Sequence, residues 1–387
     1  MGLFKFEIKK IISSKKIIIL WSIGMILISL YAFMSNSVDR SIKGTNINTY
    51  NKLIDDLNVN ITSLNNSIIV EEDPLIKEAM EKSLIKVKEI LRLNEEIKDG
   101  IINNNSKKII EAQIEILESQ RNGKVLKEEV SAISLEEIDI EIEKYNYLNN
   151  NNIEPINDGM AMTGINFINL VLKYIAPMLL GIIIILSTAD IVSKETDYGT
   201  IQTLLFQKIS RKKILMSKLL ACILINIVCF IIVLITLATF LSLRNGVGNL
   251  SYPSIVDVGG KLVIYPVWSL ILNNLLITLV YVIFLSCFSA LISILSKNSI
   301  ESMCISITVC IGAAILFNNI ELPQWIKNIN PFNYLAGNEI LKTGFSSSSI
   351  TTDNNAVITS VAFIAYTIIV VLLSFMKFNK KEFEIES

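Results

Sequence analysis

The chain has 387 residues, of which 51% are hydrophobic and only 18% are charged, and its mean hydropathy is +0.52. This composition excludes an ordinary soluble globular protein and indicates a chain that crosses a membrane several times. The 35 basic and 36 acidic residues nearly cancel, and the lack of histidine excludes catalytic triads and metal sites built on imidazole. All five cysteines lie in apolar runs, which predicts core packing rather than disulfides.

Six apolar stretches are long enough to cross a membrane, since about 20 residues of helix span the hydrocarbon core. A Lys-rich amphipathic helix over residues 1–16 precedes the first of them. Pro177 should kink the second span, and Lys173 lies near enough to its end to snorkel. The uncharged run 262–296 is too long for one span, so Pro266 should separate a short interfacial segment from the fourth. The predicted spans are 17–34, 167–189, 219–243, 269–295, 302–320 and 354–376.

The distribution of Lys and Arg predicts the orientation of these spans. With the N-terminus inside, 15 basic residues fall in cytoplasmic segments and four in the short outer loops. Because basic residues collect on the cytoplasmic side, both termini should be cytoplasmic in a multi-pass protein of the plasma membrane. The remaining segments are then an extracytoplasmic domain at 35–166, a cytoplasmic loop at 190–218, an outer loop with short helices at 321–353 and a cytoplasmic tail at 377–387.

The segment between the first two spans has a net charge of −9 and carries helix signals. Asp73 followed by Pro74 should begin one helix, which Gly100 should end, and Ser106 and Gly123 should bound a second. The run Ser134–Glu137 is a capping box that should begin a third. We therefore predict an all-α membrane protein with six transmembrane helices, an N-terminal interfacial helix and a large helical extracytoplasmic insertion. A receptor surface for a cationic substrate is an alternative use of the insertion.

The loop after the second span combines a turn with two short amphipathic pieces. Gly199 should stop one helix in a backbone conformation that other residues resist, and Thr200 should cap the next. Ile201, Leu204 and Leu205 form an apolar stripe on that second piece. The pattern suits contact with a cytoplasmic partner, and an interfacial loop on anionic lipid is the alternative.

The same loop resembles that of the ABC-2 type permeases, the membrane subunits of one class of ABC exporter. The N-terminal amphipathic helix, the large insertion and the last outer loop, with Pro323-x-Trp325 and Asn330–Phe332, extend the similarity over the whole chain. The family often has proline where this chain has Lys208. The motif of the loop is Glu195-x3-Gly199-Thr200, then Leu204-Leu205, then Ile209-Ser210-Arg211-x3-Leu215-x2-Lys218.

The resemblance implies that this loop holds a coupling helix that docks on an ATPase subunit. It assigns ATPase coupling to Glu195, Gly199, Thr200, Ile201, Leu204, Leu205, Ser210, Arg211 and Lys218. The chain has no G-x-x-x-x-G-K-[ST] phosphate loop, so ATP and Mg should bind to the partner, and this chain should bind no cofactor and catalyse no reaction. The implied partners are an ABC ATPase, a second identical or homologous permease and the lipid bilayer, with no nucleic acid. The expected cargo is an amphipathic, peptide-like or antibiotic compound.

Polar residues within the fourth span could mark the transport path. Ser286, Ser289, Ser293 and Ser296 fall on one helical face, where they either form a packing seam or line the path. Asn273 and Asn274, near the outer end, are costly in lipid and should face protein or water.

Two other functions fit parts of this pattern. A membrane-anchored receptor or sensor could bind a ligand through its outer helical domain without transport. An ion-coupled carrier is disfavoured because no relay of ionisable residues crosses the spans. A phosphate-loop ATPase partner distinguishes a permease from a receptor, because a receptor needs none.

Overall fold

A computed structural model describes residues 2–125, 134–155, 163–206, 209–258, 261–320, 323, 326, 329–335, 351–352 and 356–381. The first helices are α1 (Gly2–Ile12), α2 (Lys15–Val70), α3 (Pro74–Ile102), α4 (Ser106–Val125) and α5 (Leu135–Asn150). They are followed by α6 (Gly164–Leu170), a π-helical segment (Val171–Leu180), α7 (Gly181–Thr188), α8 (Ser193–Asp197), α9 (Thr200–Leu205) and α10 (Arg211–Asn245). The rest comprises β1 (Pro253–Val258), β2 (Lys261–Pro266), α11 (Val267–Leu295), α12 (Ser299–Asn319), α13 (Pro331–Leu335), β3 (Thr351–Thr352) and α14 (Ala356–Lys380).

Six stretches of helix in the described part of the chain are long and apolar enough to cross a membrane, which confirms the predicted number. The first four spans are wider than predicted, because their helices continue past the apolar run into the flanking residues. The fifth begins and ends three residues earlier than predicted, and the sixth begins three residues later and ends four residues later. Residues 211–218, predicted as loop, belong to α10, and α14 continues beyond residue 376 to Lys380. The spans are Lys15–Met34, Gly164–Asp197, Arg211–Asn245, Val267–Leu295, Ser299–Phe317 and Val357–Lys380.

Pro177 lies inside the second span, within the π-helical segment. Proline cannot donate the backbone hydrogen bond that an α-helix requires, and the wider π-helical turn is a common way to accommodate such a defect. The second span therefore passes through α6, the π-helical segment and α7 in direct succession, and it continues through a turn into α8.

Beyond the membrane-spanning part, α2 continues without a break to Val70 and packs against α3, which contacts α4, which contacts α5. At 1.5 Å per residue, α2 is roughly 84 Å long. The Asp73 cap and the capping box of Ser134 and Glu137 are confirmed. The predicted stops at Gly100 and Gly123 are wrong, because both glycines lie within helices. A β-carbon at Gly100 would lie 2.6 Å from the Ile109 side chain, so glycine there permits close packing of α3 on α4.

The interfacial segment predicted before the fourth span is a β-hairpin instead. Strands β1 and β2 pair antiparallel, with Pro253 opposite Pro266, and β3 adds to β1 in parallel. This small sheet is an addition to a fold that is otherwise helical, as predicted. Pro266 is the N-cap of α11, which begins at Val267, two residues before the predicted start. The backbone N–H of Leu262 donates to Glu136 at 3.2 Å, which ties the hairpin to α5.

Helix α11 is the centre of the spanning bundle and packs along α14. The short helix α13 enters this core, where Tyr334 makes an edge-on ring contact with Tyr281 at 4.7 Å between centroids. The hydroxyl groups of Tyr334 and Thr278 are 3.0 Å apart, so the phenol has a hydrogen-bond partner. Gly181 leaves the space that α13 occupies, because a β-carbon there would overlap the side chain of Leu335.

Candidate functional site

The loop after the second span, which carries the motif from Glu195 to Lys218, lies at one end of the bundle. At this end α1, α8, α9 and the beginning of α10 meet, and we call it the α1 end. An apolar group of side chains, the basal cluster, holds these elements against the ends of α11 and α14. Its position fixes the loop on the spanning helices rather than leaving it free in solvent. The buried members are Val192, Ile201, Ile214, Leu215, Leu219, Ala290, Ile294 and Phe378.

Beside the basal cluster lies an ionic cluster of Glu7, Lys10, Glu195 and Lys218. Lys218 is fully buried on α10, and its ammonium donates to Glu7 at 2.9 Å and also to Glu195. Lys10, which is half exposed, donates to the same oxygen of Glu195. Glu7 and Glu195 are themselves buried. Since a buried charge is tolerated only when it is paired, these contacts fix α1, α8 and α10 relative to one another.

Glu195 and Lys218 were both expected to act in coupling, and the structure brings them into direct contact across 23 residues of sequence. Glu7 and Lys10 were not singled out, although an acidic residue in a Lys-rich amphipathic helix was the available signal. A further ion pair, between Lys16 and Asp190 at 2.8 Å, joins the start of α2 to the turn after α7. The α1 end is thus held to the N-terminal region by three ion pairs, Glu7–Lys218, Lys10–Glu195 and Lys16–Asp190.

The turn between α8 and α9 depends on Gly199, whose φ is +65°. Side chains other than glycine rarely adopt this left-handed conformation. Gly199 itself is the N-cap of α9, so the expectation that Thr200 caps the helix is wrong by one residue. The hydroxyl of Thr200 donates instead to the backbone oxygen of Glu195, at 3.4 Å, and closes the turn.

The apolar stripe of α9 faces this chain's own core. Ile201 is buried in the basal cluster, and Leu204 and Leu205 are half-buried against it. The stripe was expected to contact a cytoplasmic partner, but it packs into the basal cluster of this chain instead. Its role in coupling remains a prediction, now through packing within the chain.

The loop also exposes two aromatic residues. Tyr198 is 73% exposed and Phe206 is 88% exposed, at either end of α9. Together with the exposed Thr200 and Thr203, they form a surface that we call the docking face. The sequence did offer a signal for Tyr198 and Phe206, since these two aromatic residues bracket α9 outside its aliphatic stripe.

Ser210 and Arg211 lie where α10 begins. Ser210 is its N-cap, although its side chain makes no capping hydrogen bond. Arg211 donates to the backbone oxygens of Asn379 at 3.1 Å and Lys381 at 3.0 Å, and so binds the C-terminal end of α14. Lys208, the departure from the family pattern, lies outside the described residues.

Lys381 continues this connection to α11. Its ammonium donates to the backbone oxygens of Ile294 at 2.6 Å and Ser296 at 2.9 Å, at the C-terminal end of that helix. Burial lowers the pKa of Lys381 below its ordinary value. A positive charge at a helix C-terminus is favourable, so α10, α11 and α14 are joined where each meets the α1 end.

The four serines predicted to share one face of the fourth span are all buried, and they divide into two pairs. Ser293 accepts from the backbone N–H of Ser193 at 3.0 Å and so fixes α8 to α11. Ser296 donates to the oxygen of Ile292 at 2.9 Å. The hydroxyls of Ser286 and Ser289 have no hydrogen-bond partner among the described residues.

Toward the other end of α11, Asn273 is exposed and Asn274 is half-buried. The structure does not bring these two amides together with the serines, which lie three or more turns away along the helix. A path-lining role for the six polar residues therefore stays a prediction. Within the described ranges, no group of three Asp, Glu or Cys side chains is placed to hold a metal ion.

We expect Lys218→Met to lower the stability of the protein sharply. The substitution leaves Glu7 buried without its cation, and removing one partner of a buried ion pair typically costs about 3–5 kcal/mol. The measurement is the apparent melting temperature of the detergent-purified chain.

Lys213→Met is the matched control, because Lys213 is exposed on α10 five residues before Lys218 and should leave the melting temperature nearly unchanged. Adding Glu7→Gln to Lys218→Met should restore part of the loss. Equal melting temperatures for Lys218→Met and Lys213→Met would show that the ionic cluster contributes nothing to stability.

The family model described as ABC-2 family transporter protein matches residues 1–383, nearly the whole chain. No curated protein matches the chain. The chain therefore belongs to the ABC-2 transporter family, as the transmembrane permease subunit of an ABC transporter whose ATPase is a separate partner.

Proposed function

We propose that this permease exports an amphipathic, peptide-like or antibiotic compound across the plasma membrane, driven by an ATPase that binds the docking face. In this proposal the α1 end lies in the cytoplasm, and the chain works as a dimer with itself or with a homologous permease. ATP and Mg bind to the ATPase, and this chain contributes no catalytic group.

The observation that carries the proposal is the exposure of Tyr198 and Phe206 on a rigid base. Both aromatic side chains project from a loop whose other side is anchored by Ile201 and the ionic cluster. Exposed aromatic residues on an ordered polar segment are typical of protein interfaces, where they provide much of the binding energy. A partner subunit that covers them would remove both from water.

The same base provides a route by which movement of the ATPase could reach the spanning helices. A displacement of α8 would act on α10 and α1 through Glu195, and on α11 through the Ser193–Ser293 contact. Because these contacts are buried, they resist separation, so the elements should move together. The proposal thus assigns binding to the exposed residues of the loop and transmission to its buried ones.

The orientation rests on the charge of the two ends. Lys5, Lys9, Lys212 and Lys213 are exposed at the α1 end, and basic residues collect on the cytoplasmic side of membrane proteins. The segment that contains α3, α4 and α5 is acidic and lies beyond the opposite end of the spans.

The docking face is tested by Tyr198→Ala combined with Phe206→Ala. Burying an aromatic side chain is worth roughly 1.5–3 kcal/mol, so even the lower figure predicts about a tenfold loss of affinity for the ATPase. Affinity is measured by copurification and titration of the ATPase against the purified permease. Leu250→Ala, at an exposed apolar residue near the hairpin, is the control and should bind normally. If the double variant binds the ATPase with unchanged affinity, the docking face is not part of the interface with the ATPase.

Gly199→Val tests the turn separately from the docking face. A β-carbon at Gly199 meets no atom within 4 Å, so the substitution strains only the backbone, by roughly 1–2 kcal/mol. We expect the variant to bind the ATPase but to export less per ATP hydrolysed, measured in reconstituted vesicles.

Gly246→Val is the matched control, since Gly246 also has positive φ and open space, but lies at the C-terminal end of α10. If both variants show the same decrease in substrate exported per ATP hydrolysed, the effect comes from general backbone strain, and the turn at Gly199 has no special role.

Orientation is tested with single cysteines in a chain whose five native cysteines have been replaced. Ser251→Cys, in the exposed segment before the hairpin, should react with a membrane-impermeant thiol reagent added to intact cells. Lys213→Cys, exposed at the α1 end, should react only after the cells are opened. The reverse pattern of labelling would overturn the proposed direction of the whole chain.

A further inference from the structure

A groove of about 620 Å³ runs between α2 and α10 on the side of the spanning bundle. Its floor is formed by Ala32, Leu237 and Leu241, which are buried in the core. Its rims carry Ile26 and Phe240, both more than half exposed. The lining is mainly apolar, and the volume is within the range of ligand sites.

One charged side chain, Arg244, is placed at an end of this groove. It is exposed in the last turn of α10, and no carboxylate of the described residues forms an ion pair with it. Arg244 and Phe33 line the same groove, and Phe33 is one residue from the end of the first span. The guanidinium is therefore near the boundary between hydrocarbon and headgroups, where the phosphates of a bilayer lie.

We propose that this groove binds an anionic phospholipid, with one acyl chain between α2 and α10 and the phosphate on Arg244. An alkyl chain matches the apolar floor and rims. A guanidinium binds phosphate through paired, charge-assisted hydrogen bonds, which are stronger than neutral ones. The site is independent of the transport cycle proposed above.

Charge also argues against a second copy of this chain in the groove. A copy related by twofold symmetry about the groove would bring two Arg244 side chains together. Like charges that meet at an interface cost several kcal/mol, and no described carboxylate is placed to neutralise them. A phospholipid supplies the missing negative charge itself.

The test is native mass spectrometry of the delipidated full-length chain with phosphatidylglycerol or phosphatidylcholine of identical acyl chains. We expect about a tenfold preference for phosphatidylglycerol, the scale of one charge-assisted hydrogen bond. Arg244→Gln should abolish the preference, and Arg244→Lys should retain part of it. Ala32→Phe, which fills the floor, should weaken binding of both lipids.

Lys261→Gln is the control, because Lys261 is an exposed basic residue that does not line the groove, and the preference should survive. Equal binding of the two lipids by the parent chain, or a preference that persists in Arg244→Gln, would overturn the proposal. So would an interchain disulfide formed in membranes by Phe240→Cys in a chain without its native cysteines, since a second copy would then occupy the groove.

Discussion

The architecture of the α1 end depends on the burial of one ammonium group. Lys218 is fully buried on a membrane-spanning helix, and taking a charge out of water costs several kcal/mol unless partners surround it. The partners are Glu7 from the N-terminal helix and Glu195 from α8, so displacement of either helix would remove one of the two carboxylates that pair with Lys218. A contact of this kind fixes geometry more than it adds stability, because most of the Coulomb attraction offsets desolvation. This is the property that a coupling element needs.

With the base fixed, the two sides of the α8–α9 loop have different roles. Apolar residues such as Ile201 attach the loop to the bundle, whereas Tyr198 and Phe206 project from it. Gly199 makes the division possible, because its left-handed backbone turns the chain sharply between the two short helices. Had the stripe faced outward, α9 would have lost its attachment to α10. The proposed binding of the ATPase therefore relies mainly on Tyr198 and Phe206, two aromatic residues that the family motif does not include.

The spanning helices solve a different problem, since lipid offers no hydrogen bonds to their polar groups. The π-helical segment accommodates Pro177, and Thr278 satisfies the phenol of Tyr334 inside the core. At the lipid-facing surface, Arg244 forms no ion pair with a carboxylate of the described residues. In the proposed site, the phosphate of a phospholipid pairs with its guanidinium. Two charges on α10 are therefore accommodated differently. Lys218 pairs with carboxylates of its own chain, and Arg244 is proposed to pair with a membrane lipid.

The sequence by itself determined the membrane class, the six spans and the best-capped helices, because apolar length and capping residues act locally. The capping box at Ser134 is such a signal, complete within four residues. The same local reading misplaced the stops at Gly100 and Gly123, where packing with a neighbouring helix or continuation of the helix overrides glycine. It also named Glu195 and Lys218 without their connection to Glu7, which is 211 residues from Lys218 along the chain. Only the tertiary structure decided which face of α9 is buried, because a stripe of aliphatic residues has the same periodicity whether it meets its own chain or a partner.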